Sequence, residues 1–185
     1  MKDMKIGSQV RETVVRAAVE ARVRAYARYS KFQVGAALLA ADGRIFTGCN
    51  VENASYGLTI CAERSAVFTA VAAGQHKFVL LAIASEGGAA PCGACRQVLA
   101  EFSPNLSILL IDVNRQDSIV EVNLGDLLPR AFGLNPELSS QHARNTAHHA
   151  IDDRAAEHGS QSEARDIRLP LRGHSTQAAD LDADG

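Results

Sequence analysis

Seven consecutive apolar residues, Phe78 to Ala84, constrain this chain more than any other segment. The run is far below the roughly 20 residues a membrane helix needs. Its length suits a β-strand buried on both faces, which must then be covered by other elements on each side. The flanking sequence offers that cover. Ser8 to Ala25 carries Val10, Val14, Ala17, Ala18, Ala21 and Ala25 at helical spacing, with Ser8 as a candidate N-cap. Val34–Leu39 and Ile45–Cys49 bracket Asp42-Gly43 and read as a hairpin. Cys61–Ala73 has a helical pattern closed by Gly74. Arg96–Phe102 reads as a helix stopped by Ser103-Pro104. Ser107–Val113 and Ile119–Val122 read as strands, and Gly125–Leu128 as a helical turn. The order α-β-β-α-β-α-β-β predicts an α/β fold, a three-layer α/β/α sandwich around a mixed five-stranded sheet.

This pattern stops near Gly133. All nine aromatic residues and all four cysteines lie before it, whereas five of the six histidines lie after it. Residues 134–185 hold five Arg and nine Asp or Glu, a net of −4 against +2 for residues 1–133. Their apolar content is mostly alanine, too little buried surface to offset the entropy of ordering. The expected division is therefore a compact body, 1–133, and a polar, poorly ordered extension, 134–185. With a net charge of −2 over the whole chain, bulk electrostatic binding of nucleic acid or an anionic membrane is not expected. The start of the chain is polar and has no apolar signal core. These features predict a cytoplasmic protein whose cysteines stay reduced.

The cysteines carry the chemistry. Cys92-Gly93-Ala94-Cys95 is a CxxC, which alone fits a redox pair or a zinc knuckle. Cys61-Ala62-Glu63-Arg64 stands upstream, and both segments open helices, whose N-termini favour thiolates. Cys61, Cys92 and Cys95 thus supply three ligands to a tetrahedral Zn²⁺ with its fourth position open to water. Cys49, at the end of a strand and outside ligand spacing, reads as a buried, inert thiol. Glu63, two residues from Cys61, does not share its helix face. It is placed to exchange protons with water at the open position; a glutamate that only complements the helix dipole is the alternative. Three thiolates leave the centre at −1. Arg64 can donate to the sulfurs, withdraw charge and restore Lewis acidity, or it can be a surface arginine.

Zinc base deaminases carry H-x-E…P-C-x-x-C, with Cys₃ as a variant. Cys61-Ala62-Glu63 with Pro91-Cys92-Gly93-Ala94-Cys95 resembles that Cys₃ form. Ser30-Lys31-Phe32-Gln33-Val34-Gly35-Ala36-Ala37-Leu38 and Gly48-Cys49-Asn50-Val51-Glu52-Asn53-Ala54-Ser55-Tyr56 resemble the cytidine deaminase family, as do Arg64-Ser65-Ala66 and Arg96-Gln97. The resemblance spans about residues 8–133, with Gln33 standing where proline is common. It implies hydrolytic deamination of cytidine, and of 2′-deoxycytidine, in pyrimidine salvage, with one zinc per chain and no organic cofactor. It also implies that Asn50 and Glu52 hold the ribose 3′-hydroxyl and that Phe32 packs on the pyrimidine. Phe132 would come from a neighbouring subunit and Tyr56 would reach an adjacent protomer's site, in a homotetramer with shared active sites. Core packing is the alternative for Phe32 and Phe132, and turn chemistry after a strand for Asn50 and Glu52. Three rival readings remain: a deaminase of a related small molecule such as blasticidin S, an editor of bases in nucleic acid, and a non-catalytic zinc knuckle.

Overall fold

The computed structural model describes residues 6–115 and 119–133. The first helix, α1, spans Ser8–Arg22 and buries Val14, Ala18 and Ala21 along one stripe. Its N-cap is Gly7 rather than Ser8: the Gly7 carbonyl accepts from the amides of Val10 and Arg11, both at 3.1 Å. The helix also stops at Arg22, short of the expected Ala25. Tyr26 pairs with Val51 instead, donating to the Asn50 carbonyl (2.9 Å) and accepting from the Glu52 amide (2.8 Å). That bridge draws the chain out of helical geometry.

Strands β1 (Gly35–Ala40) and β2 (Ile45–Cys49) form the expected hairpin. Gly43 sits at φ 89°, a left-handed turn position that glycine takes without steric cost. Helix α2 spans Ala62–Ala72, β3 Phe78–Ser85, α3 Gly93–Phe102, β4 Ser107–Asp112, β5 Ile119–Asn123 and α4 Leu124–Leu127. The sheet order is β2-β1-β3-β4-β5, antiparallel except for the β3–β4 pair.

The twofold alternation of strand side chains divides the core between the two faces of the sheet. Ala37, Leu39, Leu80, Ala82, Ala84, Leu109 and Ile111 pack under α1 with Val14 and Ala18. Ala36, Leu38, Leu81, Ile83, Ile108 and Leu110 pack on the other face with Ala62, Ala66 and Val67 of α2 and Leu99 of α3. The apolar run thus becomes the strand buried on both faces, and the three-layer arrangement follows from it.

Two glycines bring the helices close. A Cβ on Gly35 would lie 2.1 Å from the Ala18 carbonyl oxygen of α1, and one on Gly48 would lie 2.4 Å from both the Ala62 oxygen and the Ala66 nitrogen of α2. Gly48 therefore seats the N-terminal turn of α2 against β2. The register pairs Gly35 with both Cys49 and Ala84. One end of the sheet thus collects the start of β1 and the ends of β2 and β3, next to the first turns of α2 and α3.

Candidate metal centre and active site

Cys61 is the N-cap of α2 and Cys92 the N-cap of α3, with Cys95 buried one turn further on. Helix α3 begins at Gly93, three residues before the apolar periodicity becomes readable at Arg96. The CxxC therefore lies across a helix start, as Cys61 does. The three sulfurs lie within 4.8 Å of one another, with Cys61–Cys92 at 3.8 Å and Cys92–Cys95 at 3.4 Å. Tetrahedral zinc with sulfurs at about 2.3 Å requires separations of about 3.8 Å, so the trio fits that ion with little movement.

The protonation chemistry of the trio also favours a cation. Hydrogen bonding from Cys95 pulls the Cys61 thiol down to about 5, against burial, and Arg64 and Cys92 assist. Cys95 moves the opposite way, first because it hydrogen-bonds to Cys61 and next because it is buried near Glu63. Without metal, Cys61 is thus drawn toward the thiolate and Cys95 toward the thiol. A divalent cation replaces the protons and removes the conflict. The Arg64 Nη2 donates to the Cys61 sulfur at 3.4 Å and to the Thr59 carbonyl at 3.2 Å. Its buried Nε has no hydrogen-bond partner among the described residues, a spare donor at a centre where negative charge collects. Cys49 is not part of the cluster. It is half-buried rather than buried, and its thiol reaches the Arg24 carbonyl at 3.4 Å.

Glu63 is buried in the first turn of α2 and lines a cavity of about 260 Å³ together with Cys61 and Cys92. Burial pushes its carboxyl pKa up and the Cys61 charge adds to that, while its own backbone amide and the Cys95 thiol oppose the shift. Phe32, Val34, Asn50 and Glu52 line the same cavity, and Ala89 and Ala90 form the wall before Pro91. The Asn50 side chain is already engaged: Nδ2 donates to the Phe32 carbonyl at 2.9 Å, and Oδ1 accepts from the Val34 amide at 2.8 Å. One Nδ2 hydrogen remains for a ligand. The Glu52 carboxylate accepts from the Tyr29 amide at 2.7 Å and from the amide and hydroxyl of Ser30. Ser30, then the two amides, hold its pKa below the usual range. These bonds brace the loop carrying Phe32, in which Lys31 takes a left-handed φ of 62°.

Tyr56 lies in a second cavity of about 450 Å³ that shares Ser30, Glu52 and Thr59 with the first. Its ring stands edge-on to Tyr29, 6.5 Å away. Phe132 lines neither cavity of its own chain and is 72% exposed. Residue-type reasoning assigned no role to Ser30, Ala89 or Ala90. The serine hydroxyl follows only from the folded loop, and the alanines contribute shape rather than reactive groups.

Residues 8–110 match the model of the cytidine and deoxycytidylate deaminase zinc-binding region. The cytidine deaminase of Sporosarcina psychrophila is 50% identical over 123 residues, which cover 65% of this chain and 90% of that protein. That of Halalkalibacterium halodurans is 47% identical over 124 residues, covering 66% and 93%. The 1.6 Å crystal structure of cytidine deaminase from Burkholderia pseudomallei shares 51% identity at a TM-score of 0.62, covering 65% of this chain and 98% of that one. This chain belongs to the cytidine and deoxycytidylate deaminase family of zinc-binding enzymes. Its three-sulfur cluster fits the family's metal.

Proposed function

We propose that this enzyme converts cytidine and 2′-deoxycytidine, with water, to uridine or deoxyuridine and ammonia. The carrying observation is that a buried carboxyl, Glu63, lines one cavity with Cys61 and Cys92 of the three-cysteine cluster, in a chain about half identical to cytidine deaminases over its body. Cys61, Cys92 and Cys95 hold one zinc per chain, and Arg64 withdraws charge from the sulfurs. When bound, zinc supplies Lewis acidity that makes a water easier to deprotonate.

Glu63 moves the protons. It takes one from the attacking water and passes it to N3 of the base, which leaves C4 electrophilic. After the oxygen bonds to C4, Glu63 carries the second water proton to the amino nitrogen. The C4–N bond then breaks and ammonia leaves. A carboxyl whose pKa is raised by burial suits both halves of this exchange, because it binds the proton more readily than an exposed one.

Asn50 and Glu52 hold the 3′-hydroxyl, the spare Nδ2 hydrogen and the carboxylate lone pairs matching a group that both accepts and donates. Phe32 packs on the pyrimidine ring. Phe132, exposed on its own chain, enters the site of a neighbouring copy in a homotetramer, and Tyr56 reaches an adjacent site. The catalytic body is 1–133. Residues 134–185, apart from the body in composition, lie outside the described residues and are proposed as an appendage without a role in turnover. We place the reaction in cytoplasmic pyrimidine salvage, a setting that agrees with reduced thiolate ligands. Among the described residues no helix is long and apolar enough to cross a membrane.

The decisive assay follows the loss of ultraviolet absorbance of cytidine with and without a zinc chelator. Turnover that stops on chelation and returns with zinc is the expected result. Turnover of blasticidin S or of an oligonucleotide in place of free cytidine would overturn the substrate assignment.

A further inference from the structure

Gln97 has no part in the mechanism above, yet both ends of its side-chain amide are engaged. Its Nε2 donates to the Phe132 carbonyl at 2.7 Å, and its Oε1 accepts from the Phe132 amide at 3.2 Å. The amide thus acts as a strand neighbour would, satisfying both main-chain groups of one residue 35 positions away. The adjacent Arg96 serves a different purpose. It donates to the Pro91 carbonyl at 2.7 Å and to the Leu127 carbonyl at 2.9 Å, tying the loop before Cys92 to the end of α4. Among the described residues, the Gln97 side chain makes its two bonds to Phe132 alone. Holding a residue near the end of the body costs conformational entropy. The ring held in this way is 72% exposed and lines neither of the two cavities described above, so the fixation gains its return only when something covers the ring.

We propose that Gln97 is a positioning residue that clamps the Phe132 backbone and presents its ring to the active-site cavity of a second copy of this chain. The inference rests on the reading that Phe132 completes a neighbouring site. The cavity it would enter already offers Phe32, half-exposed on the opposite chain, as an aromatic wall. A fixed second ring loses little freedom on binding the base, whereas an unclamped one must be ordered by the ligand each time. The clamp therefore acts on substrate affinity and leaves the metal untouched.

The test uses the full-length, zinc-loaded protein and compares Gln97→Ala, Gln97→Glu, Phe132→Ala and the Gln97→Ala/Phe132→Ala double variant. Zinc content, Tm and steady-state kinetics on cytidine are measured for each. Phe132→Ala should raise KM about tenfold, and Gln97→Ala should reproduce most of that rise with full zinc and kcat within about twofold of wild type. The double variant should be no worse than Phe132→Ala, because the clamp acts only through the ring. In Gln97→Glu the introduced carboxylate accepts from the Phe132 amide but repels its carbonyl. That carboxylate stays ionised at neutral pH and offers no donor, so KM should rise in Gln97→Glu at least as far as in Gln97→Ala. A rise in KM for Phe132→Ala with none for Gln97→Ala overturns the clamp and leaves the shared-site reading standing. An unchanged KM for Phe132→Ala sinks the shared site and the clamp with it. Should Gln97→Ala not fold, Gln97→Glu decides, and a wild-type KM in that variant overturns the proposal.

Discussion

Gly48→Ala tests whether the close seat of α2 on β2 builds the site. The added Cβ would stand 2.4 Å from the Ala62 oxygen, 2.4 Å from the Ala66 nitrogen and 2.8 Å from the Ser65 Cβ. Non-bonded carbon contacts settle near 3.5 Å, so relief requires the first turn of α2 to move outward by roughly 1 Å. Two of the obstructing atoms are helix backbone, which cannot rotate away as a side chain can. Overpacking of this kind costs about 2 kcal/mol or more, which for a body of this size lowers Tm by about 5–10 °C. The same shift carries Cys61 away from Cys92, now 3.8 Å apart, and moves Glu63 with it. Metal sites tolerate bond-length changes of only about 0.2 Å, and a 1 Å misplacement costs on the order of 10² in rate. Purified Gly48→Ala should therefore melt earlier, hold less zinc after dialysis against a weak chelator and lose about a hundredfold in kcat. Gly43→Ala is the control: it strains a positive φ in the hairpin turn but meets no atom within 4 Å, so it should cost stability without touching zinc or kcat. Wild-type zinc retention and kcat in Gly48→Ala would refute the reasoning.

Other outcomes follow from the same geometry. Glu63→Gln should keep its zinc, since among the described residues the three sulfurs form the cluster without it, and lose about 10²–10⁴ in kcat as proton transfer is removed; loss of zinc in elemental analysis would instead make Glu63 a ligand. In metal-free protein Glu63 has a raised pKa, so the native state prefers it protonated. The stability it contributes is fully present below its unfolded value and is lost as pH rises through the raised one. Metal-free Glu63→Gln should accordingly out-melt metal-free wild type near pH 8, with the advantage fading toward pH 4, and a constant difference in Tm would contradict burial as the cause. Truncation after Gly133 should leave a folded, active enzyme, checked by circular dichroism and cytidine turnover; an insoluble or inactive product would show that residues 134–185 support the body.

The legibility of this chain is uneven for physical reasons. Phe78–Ala84 announces a doubly buried strand because its apolar character is unbroken, and the structure covers it with α1 on one face and α2 and α3 on the other. The hairpin around Asp42-Gly43 is equally plain, since the turn needs a residue that accepts positive φ. Helix ends were less legible. Ser8 has the chemistry of a cap, but the Gly7 carbonyl takes that role, and the loss of helix after Arg22 depends on Tyr26 pairing with a segment far along the chain. Apolar periodicity alone starts α3 only at Arg96, and it was the cysteine motif that pointed to a helix start near Gly93.

By itself, the amino-acid sequence determined the layered α/β architecture and marked Cys61, Cys92, Cys95 and Glu63 as the residue types on which metal and proton chemistry can be built. Periodicity and residue type are properties of short segments, so they survive without knowledge of the fold. Only the tertiary structure decided that three sulfurs from two helix starts meet within 4.8 Å, while Cys49 turns to the Arg24 carbonyl. It alone decided that Asn50 and Glu52 spend most of their hydrogen-bonding capacity on the Phe32 loop, and that Gln97 grips Phe132. Those arrangements join groups distant along the chain. They arise from how closely whole elements pack, down to the missing Cβ of Gly48, and no local pattern of residue types records that distance.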